Sequence, residues 1–521
     1  MKRQYDIAVI GSGFSGSLMA MIARRLGFSV VLVEKGRHPR MVIGESSTPL
    51  TNLLLGEIAT RYNLPALLPL TKWGSWQDRY PNVGCGLKRG FTFYHHDLDR
   101  PNNVPPGRKA QLLVAASPHD LIADTHWYRA DFDNFLVRRA EELGVDYSDE
   151  TFLHSAKETG DGLDLEGTRH GGNFHVSARF VVDASGPRGF LHQALSLGER
   201  LLPGFPATQA LYSHFSGVGR LDEMPFGSNI ERPPYPVDDA AVHHVFDGGW
   251  AWVLKFNNGM TSAGVIANDA AAARFAFAEG ESAWHRFVQR VPPLAEQFAK
   301  AKNEVPFTYL PRVSFRSAII SGNRWALLPS TTGFVDPLLS TGFPLTLLGV
   351  ARLSEILGKG LDGDGLRDHL RIYSDQTDGE LVATARLIGS LYANMDDFPV
   401  YSALSLLYFA AASYSETVRR LGKPKLAQSF LLHDHPAFGV ATRELCARAR
   451  LPRSGEESKL LIADILTALE PFNVAGLGDV RRDNWYPVDA EDLARSADKV
   501  GATLEEIAGL LERCGYACEA V

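Results

Sequence analysis

The residues best equipped for chemistry stand near the amino terminus, where Gly11-Ser12-Gly13-Phe14-Ser15-Gly16 follows the apolar run Tyr5–Ile10 and Glu34 ends a second apolar run. Glycines at this spacing permit a tight turn and close approach of a pyrophosphate. The helix that follows points its free N–H groups at the phosphates, and an acid after the second strand accepts hydrogen bonds from ribose hydroxyls. Gly11, Gly13, Phe14, Ser15, Gly16 and Glu34 are therefore expected to hold a dinucleotide. No second glycine fingerprint for a nicotinamide nucleotide occurs. His433-Asp434-His435 lacks a further recognisable ligand, so no metal is expected and a loop or helix-cap role is preferred. Cys514 and Cys518, one helical turn apart, read as peripheral thiols. Neither a hydrolase Gly-x-Ser-x-Gly elbow nor a Walker phosphate loop is present.

These groups need a scaffold, and the pattern around them supplies one. Strand, glycine turn, helix (14–26) and strand (29–33) follow each other as in a parallel sheet with a crossover helix. A helix is expected at Asp131–Leu143 and a buried strand at Phe180–Val182. Short alternating runs such as Ala240–Phe246 and Trp250–Phe256 predict a half-exposed antiparallel sheet. From about residue 359 helical periodicity dominates. The chain has 521 residues, more than one core normally serves, which predicts two or three domains. With 53 basic against 60 acidic residues, a net charge of −7, nothing favours a nucleic-acid partner. Four cysteines are too few for a disulfide framework, which fits a reducing cytoplasm, and no signal peptide precedes the first strand. Tyr401–Tyr414, the most apolar stretch, is shorter than the roughly 20 residues that span a bilayer. It reads as a core helix or the wall of an apolar substrate channel, and no transmembrane segment is expected.

Three further segments decide between nucleotides. Gly44-Glu45-Ser46-Ser47-Thr48-Pro49, Tyr128-Arg129-Ala130-Asp131-Phe132-Asp133 and Val182-Asp183-Ala184-Ser185-Gly186 resemble, in type and order, segments of FAD-binding monooxygenases and flavin-dependent halogenases. The resemblance covers most of residues 1–360. It implies an α/β fold of the p-hydroxybenzoate hydroxylase-like kind: a Rossmann-like FAD domain (1–72, 118–205 and 318–358), an inserted antiparallel substrate sheet (73–117 with 206–317) and a helical C-terminal region (359–521). It also implies cofactor contacts from Glu45, Ser46, Arg129, Asp183, Ser330 and Asp336.

Within that group the chain most resembles flavin-dependent halogenases. Phe334-Val335-Asp336-Pro337-Leu338-Leu339-Ser340-Thr341-Gly342 matches the family's Phe-x-x-Pro-x-x-Ser-x-Gly pattern. Pro337, Ser340, Thr341 and Gly342 would form a halide nest of backbone N–H groups, or simply seat the flavin ring. Lys88-Arg89-Gly90-Phe91-Thr92-Phe93 is similar to the segment whose lysine handles hypohalous acid, as a chloramine or as a hydrogen-bond donor. Lys88 is thus the expected catalytic residue, with Lys72 beside Trp73 as its competitor. His95-His96, next to this segment, would line the cavity or end a strand. Trp250-Ala251-Trp252-Val253-Leu254-Lys255 resembles the Trp-x-Trp-x-Ile-Pro motif that gates substrate from flavin, departing at Leu254 and Lys255. The bland reading makes both rings core groups on alternate faces of a strand.

Two departures shape the expected activity. Pro329-Ser330 stands where flavin monooxygenases place Gly-Asp, and losing that charge-assisted hydrogen bond costs about 1.5–3 kcal/mol unless Ser330 substitutes. Weak FAD binding suits an enzyme that takes reduced flavin from a separate flavin reductase. Leu339 replaces the glutamate of tryptophan halogenases, which favours a self-activated phenol or pyrrole, free or tethered to a carrier protein. The expected activity is halogenation of such a ring with reduced FAD, dioxygen and chloride or bromide. The alternatives are a flavin monooxygenase that hydroxylates an aromatic or peptidyl substrate, and a non-catalytic flavin-binding accessory protein.

Overall fold

The computed structural model describes residues 3–101, 108–224, 232–362 and 365–516. The chain runs through β1 (Arg3–Ile10), α1 (Phe14–Arg25), β2 (Val30–Val33), α2 (Pro49–Arg61), β3 (Cys85–Lys88), β4 (Gly90–His96), β5 (Gln111–Ala115) and β6 (Asp124–Trp127). Then come α3 (Arg129–Glu142), β7 (Asp146–Ser148), β8 (Thr151–Glu158), β9 (Leu163–Arg169), β10 (Gly172–Asp183), β11 (Thr208–Ser216), β12 (Ala241–Phe246), β13 (Gly249–Lys255) and β14 (Met260–Asn268). Long helices α4 (Gly342–Gly358), α5 (Leu366–Tyr392) and α6 (Phe398–Arg420) follow.

The first sheet has the order β7-β2-β1-β10-β9-β8, and the short strand Trp325–Leu327 lies parallel to the end of β10. β1 sits centrally, parallel to both β2 and β10, with Ile7 opposite Val30 on one side and Phe180 on the other. Ile7–Ile10 and Val30–Val33 are buried on both faces, which is why they read as continuous apolar runs. This sheet brings the glycine turn after β1, Glu34 after β2 and the Asp183 turn after β10 to one edge.

The second sheet runs Lys302–Asn303, β11, β14, β13, β12, β4, β5 and finally Trp485–Tyr486. It departs from the sequence expectation in three ways. β12 pairs with β4 in parallel. The strands β12 to β14 are buried on both faces rather than half-exposed, because helices cover both sides. On one side lie α5 and α6, on the other the helical segment 269–298, whose Trp284 and Phe287 pack on Phe215 and Phe246. Finally, the C-terminal region is helical as expected but also lends the sheet an edge strand the sequence did not signal, Trp485 and Tyr486 pairing with Leu113 and Val114 of β5. Trp250 and Trp252, two residues apart on β13, share one face, with ring centroids 5.8 Å apart. The alternate-face arrangement is incompatible with the two-residue period of a strand. Among the described residues no helix is long and apolar enough to cross a membrane.

Candidate active site

The glycine turn is built for a group that approaches the backbone. Gly11 has φ +93°, and a Cβ there would lie 2.6 Å from the Ala184 carbonyl oxygen. A Cβ on Gly16 would meet the Gly11 carbonyl oxygen at 1.8 Å. Phe14, Ser15 and Gly16 form the first turn of α1, which carries no side-chain cap, so its N–H groups remain available. Glu34 accepts from Ser12 N at 2.9 Å, Ser12 Oγ at 3.0 Å and Gly36 N at 2.9 Å, and pairs with Arg40 at 3.2 Å. Despite burial, these partners hold its carboxyl below the usual range. Next to it the buried Nδ1 of His38 and Nε of Arg40 have no partner among the described residues. Unpaired polar atoms beside a glycine cradle fit the ribose and phosphate oxygens of a dinucleotide.

Five residues expected at the cofactor spend their polar atoms on the protein; one is Ser46, whose hydroxyl accepts from Lys88 Nζ at 2.8 Å. Arg129 lies beside Gly13 and over the Phe14 ring at 5.3 Å, but donates twice to Asp133 at 2.8 Å and once to the Gly44 carbonyl at 2.8 Å. Asp183 accepts from Ser185 N, Ser185 Oγ and Leu191 N, closing its own turn. Glu45 is paired with His214 of β11 at 2.7 Å, both 2% exposed. Asp336 accepts from Trp250 Nε1 at 3.2 Å, Leu338 N at 2.9 Å and Tyr392 OH at 2.8 Å. A buried carboxylate must find donors, and the nearest are its own turn or the facing element. Asp336 thereby ties the flavin-side turn to β13 and α5, and burial pushes its carboxyl up to about 7. Ser330 is half-buried in the short helix Pro329–Thr332, next to Thr331, whose hydroxyl accepts from Gly186 N at 3.1 Å.

The Ser-Thr-Gly turn meets the glycine turn through aromatic rings. Phe343, just after Gly342, lies 4.9 Å from Phe14 and stacks on Trp127 at 4.3 Å. Leu339 (φ +63°) and Ser340 (φ +55°) are consecutive left-handed residues, an arrangement L-residues resist and that concentrates at functional turns. Pro337 begins the turn by accepting from Ser340 N at 2.9 Å, and Thr341 and Gly342 lead into α4.

Lys88 is 0% exposed. Its Nζ donates to Ser46 Oγ at 2.8 Å and to the Ser47 carbonyl at 2.5 Å, and rests on the face of Phe91 at 3.8 Å. Desolvation lowers its pKa to about 7, against the pull of Asp124. Its competitor Lys72 is only half-buried and donates to the Ile122 carbonyl at 3.1 Å. Trp250 lies beside His243 (5.2 Å), which stacks on Phe93 (4.4 Å). Trp252 donates to Ser262 Oγ at 3.1 Å. His96 bonds His244 at 2.9 Å, and His95 bonds the Met395 carbonyl at 2.9 Å, so both end a strand. His435 Nδ1 accepts from Ala437 N and Phe438 N at the start of the helix Phe438–Arg448, a capping role. Cys85 and Cys446 are buried free thiols, Cys514 is half-exposed, and Cys518 lies outside the described residues.

Phe91 also walls a cavity of about 160 Å³ between the second sheet, α6 and the C-terminal segment. Thr48 and Pro49, adjoining the Lys88 anchor Ser47, line it with Val114, Tyr408 and Phe409. Sequence reasoning missed Asp124, His214 and Glu416: the first two join the site only through long-range pairing, and Glu416 reaches the cavity from α6 with only a local partner, Arg420.

A dinucleotide cradle, a desolvated lysine on an aromatic face and an adjoining apolar cavity define a flavin-dependent oxidoreductase. The sequence pattern of the tryptophan halogenase family matches residues 123–401, more than half the chain, and that of the NAD(P)-binding Rossmann-like domain matches residues 9–50. Monodechloroaminopyrrolnitrin halogenase from Pseudomonas fluorescens is 28% identical over 410 residues, 78% of this chain and 70% of that protein. Tetracycline 7-halogenase from Kitasatospora aureofaciens is 28% identical over 421 residues, 79% of this chain and 74% of that protein. The structure of halogenase PltM in complex with phloroglucinol and FAD shares the fold, with TM-score 0.80 at 22% identity, covering 92% of this chain and 99% of that one. The chain belongs to the tryptophan halogenase family. It is a flavin-dependent halogenase of aromatic substrates, and its cofactor is FAD.

Proposed function

We propose that the chain halogenates a phenol- or pyrrole-type ring through Lys88, in the cavity walled by Phe91. The observation that carries this is the complete burial of Lys88 with its amine on the Phe91 face. FAD, when bound and reduced, supplies with dioxygen the oxidising power that turns halide into hypohalous acid. Gly11, Gly13, Phe14, Ser15, Gly16 and Glu34 would hold its dinucleotide end, with Arg129 and Ser330 alongside. Pro337, Ser340, Thr341 and Gly342 would seat the halide. Burial lowers the Lys88 pKa to about 7, so a substantial share of the amine is neutral near pH 7; that nitrogen takes halogen from hypohalous acid, releasing water. The ring then takes that halogen and gives up a proton, regenerating the amine. Ser46 and Ser47 orient the amine, while Trp250 and Trp252 separate ring from flavin.

Two relatives act on pyrrole-2-carbonyl groups carried by a peptidyl-carrier protein, so a tethered substrate is included in this reading. A separate flavin reductase would deliver the reduced flavin, and the free thiols Cys85 and Cys446 suit a reducing cytoplasm. Residues 1–72, 118–205 and 318–358 would form the flavin unit, 73–117 with 206–317 the substrate sheet, and 359–521 its C-terminal cover. The test combines purified protein, FAD, a flavin reductase, NADH, bromide or chloride, and a panel of phenols and pyrroles, read by mass spectrometry. Halogen mass shifts that vanish in Lys88→Ala, with flavin reoxidation retained, are expected. Hydroxylated products, or full halogenation by Lys88→Ala, would overturn it.

A further inference from the structure

The cavity beside Lys88 holds one carboxylate whose hydrogen bonding is incomplete. Glu416 of α6 lines it with its side chain 22% exposed; Oε1 accepts from Arg420 Nε at 2.8 Å, and Oε2 takes no donor from the described residues and is open to the cavity or to solvent. The other acid in the lining, Asp489, is fully engaged, by Glu491 N at 2.9 Å and Arg482 Nη2 at 3.2 Å. Most of the wall is apolar, including Phe91, Val114, Phe409 and Leu477. A largely apolar pocket with one open carboxylate acceptor favours a flat ring carrying a well-placed donor.

Glu416 and the Phe91 ring that carries the Lys88 amine both line the cavity. Phe409 and Glu416 lie two turns apart on α6, a rise of about 10 Å. The Phe409 ring meets Phe91 at 5.2 Å, and Phe91 carries the Lys88 amine at 3.8 Å. Glu416 is also close enough to add its repulsion to the burial that raises the Asp124 carboxyl.

We propose that Glu416 is a substrate-binding residue whose free Oε2 accepts a hydrogen bond from the hydroxyl or N–H of an electron-rich ring, turning the opposite edge of that ring toward Lys88. This rests on the cavity being the halogenation site. Arg420 fixes the carboxylate by holding its other oxygen. Accepting from a ring hydroxyl also pushes electron density into the ortho and para carbons, the positions an electrophilic halogen attacks. The ligand class follows: phenols and N–H heterocycles, in preference to their O- or N-methylated analogues.

The experiment measures calorimetric binding of resorcinol and of 1,3-dimethoxybenzene to the full-length protein. In parallel, halogenation of both is followed with FAD, a flavin reductase and bromide, and free hypobromite is trapped by monochlorodimedone. The unaltered chain is expected to prefer resorcinol by about tenfold or more, the worth of one hydrogen bond to a charged group. Glu416→Gln should lose most of that preference, and Glu416→Asp should recover part of it. No preference in the unaltered chain, including failure to bind either probe, overturns the proposal without need of a variant. So does full preference in Glu416→Gln. A chain that prefers resorcinol yet yields neither brominated resorcinol nor trapped hypobromite removes the halogenation reading and leaves the Glu416 contact standing; bromination without preference removes Glu416 alone.

Discussion

Lys88 and Asp124 stand directly opposite each other in the antiparallel β3–β6 ladder, both buried, and yet form no ion pair. The amine bonds Ser46 and Ser47 instead. Asp124 keeps one oxygen on Asn52 Nδ2 at 2.7 Å, and its other oxygen has no partner among the described residues. The nearby imidazoles of His126 and His243 are held neutral, first by burial and then by the lysine's charge, while Asp124 pulls Lys88 toward its ammonium form. A lysine so placed is poised between ammonium and amine, which is the property a nitrogen halogen carrier needs.

The first prediction concerns Asp124→Asn. Asp124 favours the charged form of Lys88, so removing its charge lowers the lysine pKa further below about 7. If the neutral amine is the reacting form, the rising limb of the kcat–pH profile moves toward lower pH, and activity at pH 6 increases relative to the plateau. An ammonium acting only as a hydrogen-bond donor requires the reverse: loss of activity around neutrality. Initial rates between pH 5 and 9 with saturating reduced flavin separate the two.

Stability gives an independent reading of the same group. The Lys88 pKa lies near 7 in the folded chain and near 10.5 when exposed, so between these values the unfolded chain holds more protons. Unfolding free energy must then rise with pH across that window, by up to about 1.4 kcal/mol per unit for this one proton. The raised Asp124 carboxyl, near 6 against 3.8, acts oppositely: stability falls as pH rises from 3.8 to 6. Urea unfolding from pH 7 to 10 is expected to show a shallower slope in Lys88→Gln than in the unaltered chain. Equal slopes would place the folded lysine near its ordinary pKa.

The cofactor cradle predicts a contrast between two glycines. A methyl on Gly16 would lie 1.8 Å from a backbone carbonyl, so Gly16→Ala must displace the turn, costing about 1–3 kcal/mol and at least tenfold in FAD affinity. Gly27 has φ +94° with open space around it, so Gly27→Ala carries only backbone strain of about 1 kcal/mol and leaves FAD affinity intact. Flavin fluorescence titration and thermal melts on both variants test this. Matching FAD affinities would show that the turn does not approach the cofactor.

The dinucleotide cradle was legible because its parts are local: a strand, a turn and a helix start within residues 5–16, and buried parallel strands advertise themselves as unbroken apolar runs. The halogenase segments were legible as patterns, but not the destinations of their carboxylates. Asp336 reaches Tyr392, and Glu45 reaches His214, across sequence distances no local period encodes. The same holds for the lysine's environment. Lys88 sits in a four-residue strand whose partner begins at Asp124, and only that ladder brings the two together. Trp485–Tyr486, too short to signal a strand, gains its identity solely from the exposed edge of β5.

The last prediction concerns Ser340, where conformation and function can be pulled apart. Its φ of +55° costs an L-residue about 1 kcal/mol, which glycine would not incur. Its side chain is small and takes no hydrogen bond from the described residues, so little packing is lost on removing it. Leu339 offers no such test, because its φ of +63° is coupled to a wholly buried side chain whose loss costs about 2–5 kcal/mol. Ser340→Gly should therefore be as stable as the unaltered chain or up to about 1 kcal/mol more so. If the hydroxyl helps seat the halide, the same variant raises the KM for bromide and chloride while the KM for the aromatic stays fixed. A rise in aromatic KM alone would instead assign Ser340 to the substrate side of the turn. Unchanged constants for both would leave the strained backbone, rather than the hydroxyl, as the feature the turn preserves.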